Sequence, residues 1–199
     1  MTEDSTKAPA GPANDMAVAL LGAPATLITA GALMALIGLS SYPPLDMLQA
    51  LNMALAYGGG AAALYMAIGF AQFIRNKISW KILAALPMVS AAGFILTAFG
   101  AIVLLNGALD SSPPGLMPAM VMDAQAARPF SAERLAGQYM VHVSSWQAPG
   151  RVEKLAVSRE VFDRVVPFQD TAAVTVRSGM LGLNWVGSIE LMPGSGESR

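Results

Sequence analysis

The chain has 199 residues, 54% of them hydrophobic and only 13% charged, with a mean hydropathy of +0.51 and a formal net charge of −1. Soluble domains carry about 25% charged residues, so the deficit points to a chain solvated in part by lipid. No basic surplus suggests nucleic acid, whose binding rests on phosphate neutralisation. The absence of cysteine excludes disulfides, thiolate nucleophiles, iron–sulfur clusters and Cys-type zinc sites.

Residues 1–15 are polar and rich in Pro, Ala and Gly, the composition of a disordered tail. Three stretches without a charged residue follow: Met16–Leu45, Met47–Ile74 and Ile82–Leu109. Each exceeds the ~20 apolar residues that span a bilayer. The expected fold is therefore an integral membrane α-helical domain of three transmembrane helices, at about 16–39, 47–74 and 82–105. The first stretch is too long for a cleaved signal peptide, and its flank has one Lys against three acids. Tyr42-Pro43-Pro44 stops the first helix and Asn106-Gly107 the third.

Small residues recur four apart in each span. Gly22, Thr26 and Ala30 form one row, Gly59, Ala63 and Ala67 a second, and Gly93, Thr97 and Ala101 a third. Lipid gives helices no hydrophobic reason to associate, so close backbone approach must do it. These residues, with Gly60 in the Gly58–Gly60 run, are the candidates for helix packing. Orientation follows from charge. The loop after the second span holds Arg75, Lys77 and Lys81 without an acid, whereas the first loop holds only Asp46. Positive loops stay cytoplasmic, so these three residues are the topology determinants. They place the N-terminus in the cytoplasm and, in a bacterial inner membrane, the last 90 residues in the periplasm.

Those residues carry nine acidic and eight basic side chains, so they are solvated by water. Residues 110–129 read as a linker and an interfacial segment. Within it, Leu116–Val121 either lies along the membrane surface or adds an edge strand. Residues 130–191 form a small α+β domain, mainly β. Tyr139–Val143, Val152–Val157, Thr171–Arg177 and Leu181–Leu191 are the expected strands, the last interrupted at Gly187. Ser158 caps a short helix running to about Val165. Trp146, Phe162, Phe168 and Trp185 are the core candidates, and 192–199 is a disordered tail.

The motifs of chemistry are missing. His142 is the only histidine, so no paired-His metal site can form within one chain. It sits mid-strand among apolar neighbours, without a nucleophile elbow. No acidic, basic or histidine side chain lies inside a span, against what proton and ion carriers require. No phosphate-binding loop occurs. The expectation is a protein without catalytic residues, cofactor or metal. Its partners are the lipid bilayer and either a membrane protein, which it serves as an accessory or assembly subunit, or further copies of itself. The alternative is an oligomeric carrier or binding protein for a lipid or other apolar ligand, built around the Gly-rich second helix.

Overall fold

The computed structural model describes residues 12–76, 80–127, 139–146, 148 and 150–192. Lys77, the expected start of the soluble domain at residue 130 and both expected tails up to residue 11 and from residue 193 lie outside the described residues. The chain divides into two compact units. One holds residues up to 37 together with 48–102. The other holds Gly38–Met47 and everything from Val103 onward.

Three helices come first: α1 (Pro12–Ser41), α2 (Met47–Asn76) and α3 (Trp80–Ala108). All three are long and apolar enough to cross a membrane. In the first unit they pack through small residues; Gly93 and Thr97 of the third row read off the sequence are in use, whereas the rows in use on α1 and α2 differ from those read. A Cβ on Gly31 would lie 2.5 Å from the Thr97 backbone nitrogen, and one on Gly58 would lie 2.6 Å from Ile95 Cα. A Cβ on Gly100 would lie 2.5 Å from the Gly31 carbonyl oxygen, and one on Gly93 would run into the Pro24 carbonyl. Thr97 Oγ1 donates to the Leu27 carbonyl at 2.8 Å, and Tyr65 Oη to that of Leu20 at 3.0 Å. In a medium that offers backbone groups no partner, such bonds add to dispersion in holding helices together.

The second unit is a curled antiparallel sheet of five strands in the order β3-β2-β1-β4-β5. They are β1 (Gly115–Ala126), β2 (Tyr139–Ser144), β3 (Val152–Val157), β4 (Thr171–Arg177) and β5 (Trp185–Met192). The helix α4 (Arg159–Arg164) follows β3, and the Oγ of Ser158 caps it by accepting from Val161 N–H. β1 corrects the sequence reading. Residues 115–126, expected as linker and interfacial segment with an edge strand as the alternative for Leu116–Val121, form a strand, and it is central rather than an edge. Its first half pairs with β4 (Gly115↔Val176 to Met120↔Thr171), and its second half pairs with β2 (Val121↔Val143 to Ala126↔Tyr139). A bulge between Val121 and Asp123 marks the change of partner. Bulges bend strands and raise their twist, which accounts for the curl.

Alternation buries Ala119, Val121, Val141, Val143, Leu155, Ala172 and Val174 as one core. Leu45 and Trp146 pack on its margin. Phe168 departs from expectation. It is 66% exposed, not core, and its backbone is left-handed at φ 63°. The Val166–Asp170 turn holds it there: Asp170 Oδ2 accepts from Val166 N–H and Phe168 N–H donates to the Val121 carbonyl. β5 also begins later than expected, at Trp185, and Gly187 is the extra residue of its bulge against Thr175 and Val176.

Candidate functional site

The densest polar constellation lies in the second unit, where the ends of α1 and α3 meet the loop between β4 and β5. Asn106, only 2% exposed, is its hub. Its Nδ2 donates to the Leu183 carbonyl at 2.8 Å. Its Oδ1 accepts from Leu181 N–H at 2.9 Å and from Leu183 N–H at 3.4 Å. Its own carbonyl accepts from Met180 N–H at 3.0 Å. One side chain therefore satisfies three backbone groups that would each cost about 1–3 kcal/mol if buried unpaired. Gly179 makes the approach possible, because a Cβ there would strike the Asn106 amide.

Four residues on, Asp110 repeats the arrangement. It accepts from Ser112 N–H at 2.8 Å, Trp185 Nε1–H at 2.9 Å and Gly179 N–H at 3.3 Å. Burial pushes its carboxyl up, but the hydrogen bonds from Ser112, Trp185 and Gly179 outweigh it, so its pKa falls below the usual carboxylate value. The Trp185 ring meets Tyr42 edge to face at 5.1 Å, and the Arg177 guanidinium lies 5.8 Å from the Trp185 centroid. Backbone bonds from Leu45 N–H to the Asn184 carbonyl and from Val186 N–H to that of Pro43 complete the tie. The arrangement fixes the position of the β4–β5 loop against the ends of α1 and α3.

The edge strands β3 and β5 both contribute to a cleft of about 320 Å³, lined by Ala156, Val157, Val186 and Ile189 with the hydroxyls of Ser158 and Ser188. A second hollow of about 530 Å³ shares Val161 and Ile189 and carries Arg164, Asp170 and Glu190 at its wall. His142 pairs across the sheet with Asp123 and Lys154, and its Nδ1 lies 3.9 Å from Asp123 Oδ2. At that distance, on a partly exposed face, such a pair contributes little. Among the described residues no three His, Asp or Glu side chains gather as a metal site would require.

The residues singled out in the sequence fall as follows. Gly93 and Thr97 lie at close approaches to α1, and Ala101 stands one residue past Gly100, which makes the next. Gly22, Gly59 and Gly60 would meet nothing within 4 Å if given a Cβ. Thr26, Ala30, Ala63 and Ala67 are exposed, and Thr26 bonds only within its own helix. Arg75 ends α2 and Lys81 stands in the first turn of α3, both exposed. The sequence reading has Asn106 as the stop of the third helix, which runs on to Ala108, and not as a hub; it does not single out Asp110. The available signal was a polar pair four apart closing an otherwise apolar helix. No family model matches the chain, and no curated protein and no solved structure matches it either.

Proposed function

We propose that the chain is an integral membrane protein of a bacterial inner membrane, without catalytic activity, that carries its sheet on the periplasmic side as an accessory or assembly subunit. The observation that carries the membrane assignment is inverted solvation. The buried positions of α1–α3 are largely small or polar (Ala50, Ala54, Gly58, Ala62, Ser90, Gly93), while Leu33, Leu36, Leu55, Leu64, Ile68 and Phe70 are exposed. Water would penalise that arrangement; hydrocarbon does not. Arg75 and Lys81 at the α2–α3 connection support a cytoplasmic location for that loop.

The accessory role is supported by the sheet's two edge strands and the cleft they line. Edge strands present backbone groups on which a further chain can pair. The test is purification in mild detergent after crosslinking in the native membrane. A reproducible membrane protein partner, lost on mutation of the β5 edge, is the expected result. A monodisperse monomer without a companion chain overturns the reading.

One observation favours the carrier as a second reading. Gly59, Gly60 and Ala63 form a small-residue face of α2, where a Cβ at Gly59 or Gly60 would meet none of the described residues within 4 Å. The double substitution Gly59→Leu and Gly60→Leu separates the two. Loss of self-association together with loss of apolar-ligand binding supports the carrier.

A further inference from the structure

The loop between β4 and β5 has a composition that its surroundings must explain. Met180 and Leu181 stand at its tip, 59% and 39% exposed, between Gly179 and Gly182. Both glycines have left-handed backbones, φ 69° and 76°. That conformation favours Gly and turns the two apolar side chains outward between them. The N–H groups of the same loop from Gly179 to Leu183 are all bonded within the chain. Gly179 N–H goes to Asp110, Met180 N–H to the Asn106 carbonyl, Leu181 and Leu183 N–H to Asn106 Oδ1, and Gly182 N–H to the Gly179 carbonyl. A loop in water needs no such provision, because water bonds its N–H groups. A loop entering an apolar medium does, since each unsatisfied group there costs several kcal/mol.

We infer that the Gly179–Gly182 tip is an interfacial anchor, seated in the lipid at the boundary of headgroups and acyl chains beside the end of α3. The inference rests on the membrane reading given above. Lipid, not protein, is the assigned occupant because the tip continues an apolar surface. Met180 and Leu181 bond to Asn106 on the last turn of α3, whose neighbours Leu105 and Leu109 are themselves exposed. The groups around them suit the headgroup layer: Trp185 and Tyr42 are interfacial residue types, and Arg177 bears a charge at the base of the loop.

The absence of cysteine makes the test direct. The variants Met180→Cys and Leu181→Cys are each labelled with an environment-sensitive fluorophore and reconstituted as the full chain. The vesicles are of phosphatidylethanolamine and phosphatidylglycerol with nitroxides placed shallow or deep in the acyl chain. Leu33→Cys in α1 and Gln125→Cys at the far end of β1 serve as references. The expected result is blue-shifted emission at 180 and 181, with a larger loss of intensity to the shallow nitroxide than to the deep one. Leu33→Cys should be quenched and Gln125→Cys should not. Quenching at Leu33→Cys without quenching at 180 and 181 overturns the anchor and leaves the membrane reading standing. A blue shift there without quenching also overturns it, because protein then covers the tip. Quenching at Gln125→Cys equal to that at 180 overturns it as well. Absence of quenching at Leu33→Cys overturns the membrane reading and the anchor together.

Discussion

The helical unit and the sheet unit are cohesive for opposite reasons. In the helices the closest contacts are at Gly31, Gly58, Gly93 and Gly100; Leu20 and Leu86 form a small buried cluster, but Leu33, Leu36, Leu55, Leu64, Ile68 and Phe70 are exposed. In the sheet the contact positions are Val121, Val141, Val143, Leu155 and Val174, and the charged side chains point away. Water drives apolar area inward at about 25 cal/mol per Å², so a sheet bathed by it fills its centre with branched aliphatics. Lipid supplies no such drive, so helices bathed by it gain only what close fit and hydrogen bonds give. That contrast in contact composition is what the proposed membrane setting of the helices entails.

The sharpest way to break the comparison is to enlarge a helix contact. Gly93→Leu drives a side chain into the Pro24 backbone, which cannot yield as a side chain would. Overpacking costs roughly 1–3 kcal/mol and more where backbone must move. Thermal denaturation in detergent should show the largest loss of any substitution named here. Next comes Asn106→Ala, which orphans two amide groups and a carbonyl of the β4–β5 loop. The cost expected is about 2–3 kcal/mol, read as a lowered midpoint, and hydrogen exchange at Leu181 and Leu183 should speed up.

Asp110→Asn sharpens the comparison through pH. The folded-state pKa of Asp110 lies below its unfolded value. Its ionised form therefore contributes stability that is complete above about pH 4, the unfolded carboxylate range, and is lost as pH falls through the lower folded value. Melting curves of the parent should decline through that acid window, and those of Asp110→Asn should decline less. An equal decline in both would show that this carboxylate is not responsible. The smallest effect is expected from Gly59→Leu, where a Cβ would meet no described atom within 4 Å. A change below about 0.5 kcal/mol in the same denaturation assay is the expected outcome, as for other surface substitutions. A loss matching that of Gly93→Leu would mean that this face of α2 is packed after all.

Much of the fold could be read from the chain. The three apolar spans correspond to helices, and β3 and β4 have the limits their alternation implies. Helix packing was readable in register on α3, at Gly93 and Thr97, but only in kind on α1 and α2. Residues 58–63 run Gly-Gly-Gly-Ala-Ala-Ala, so the small residues extend all round α2 and periodicity cannot choose a face. The row in use, Ala50-Ala54-Gly58-Ala62, lies one residue, or about 100° on a helix of 3.6 residues per turn, from the row Gly59-Ala63-Ala67. β1 was hidden because apolar residues mark both its faces and Pro118 argues against a strand. The proline is tolerated because its half of β1 pairs only with β4. Met120 N–H points to the side away from β4, where it meets Ser144 Oγ, and two residues earlier the missing N–H of Pro118 falls on that same side. The Asn106 hub was illegible for another reason: its partners stand about 75 residues further along, and only the folded sheet brings them back.

The handover within β1 has a temporal consequence. Its first half cannot be zipped until β4 arrives, although Gly115 leaves the ribosome long before Val176. Its second half can close earlier against β2. Leu116–Met120 is therefore a ribbon without its partner strand until β4 has been made. A chain cut short after Val157 would keep that ribbon open for good, and it would be the segment that chaperones or neighbouring copies seize first.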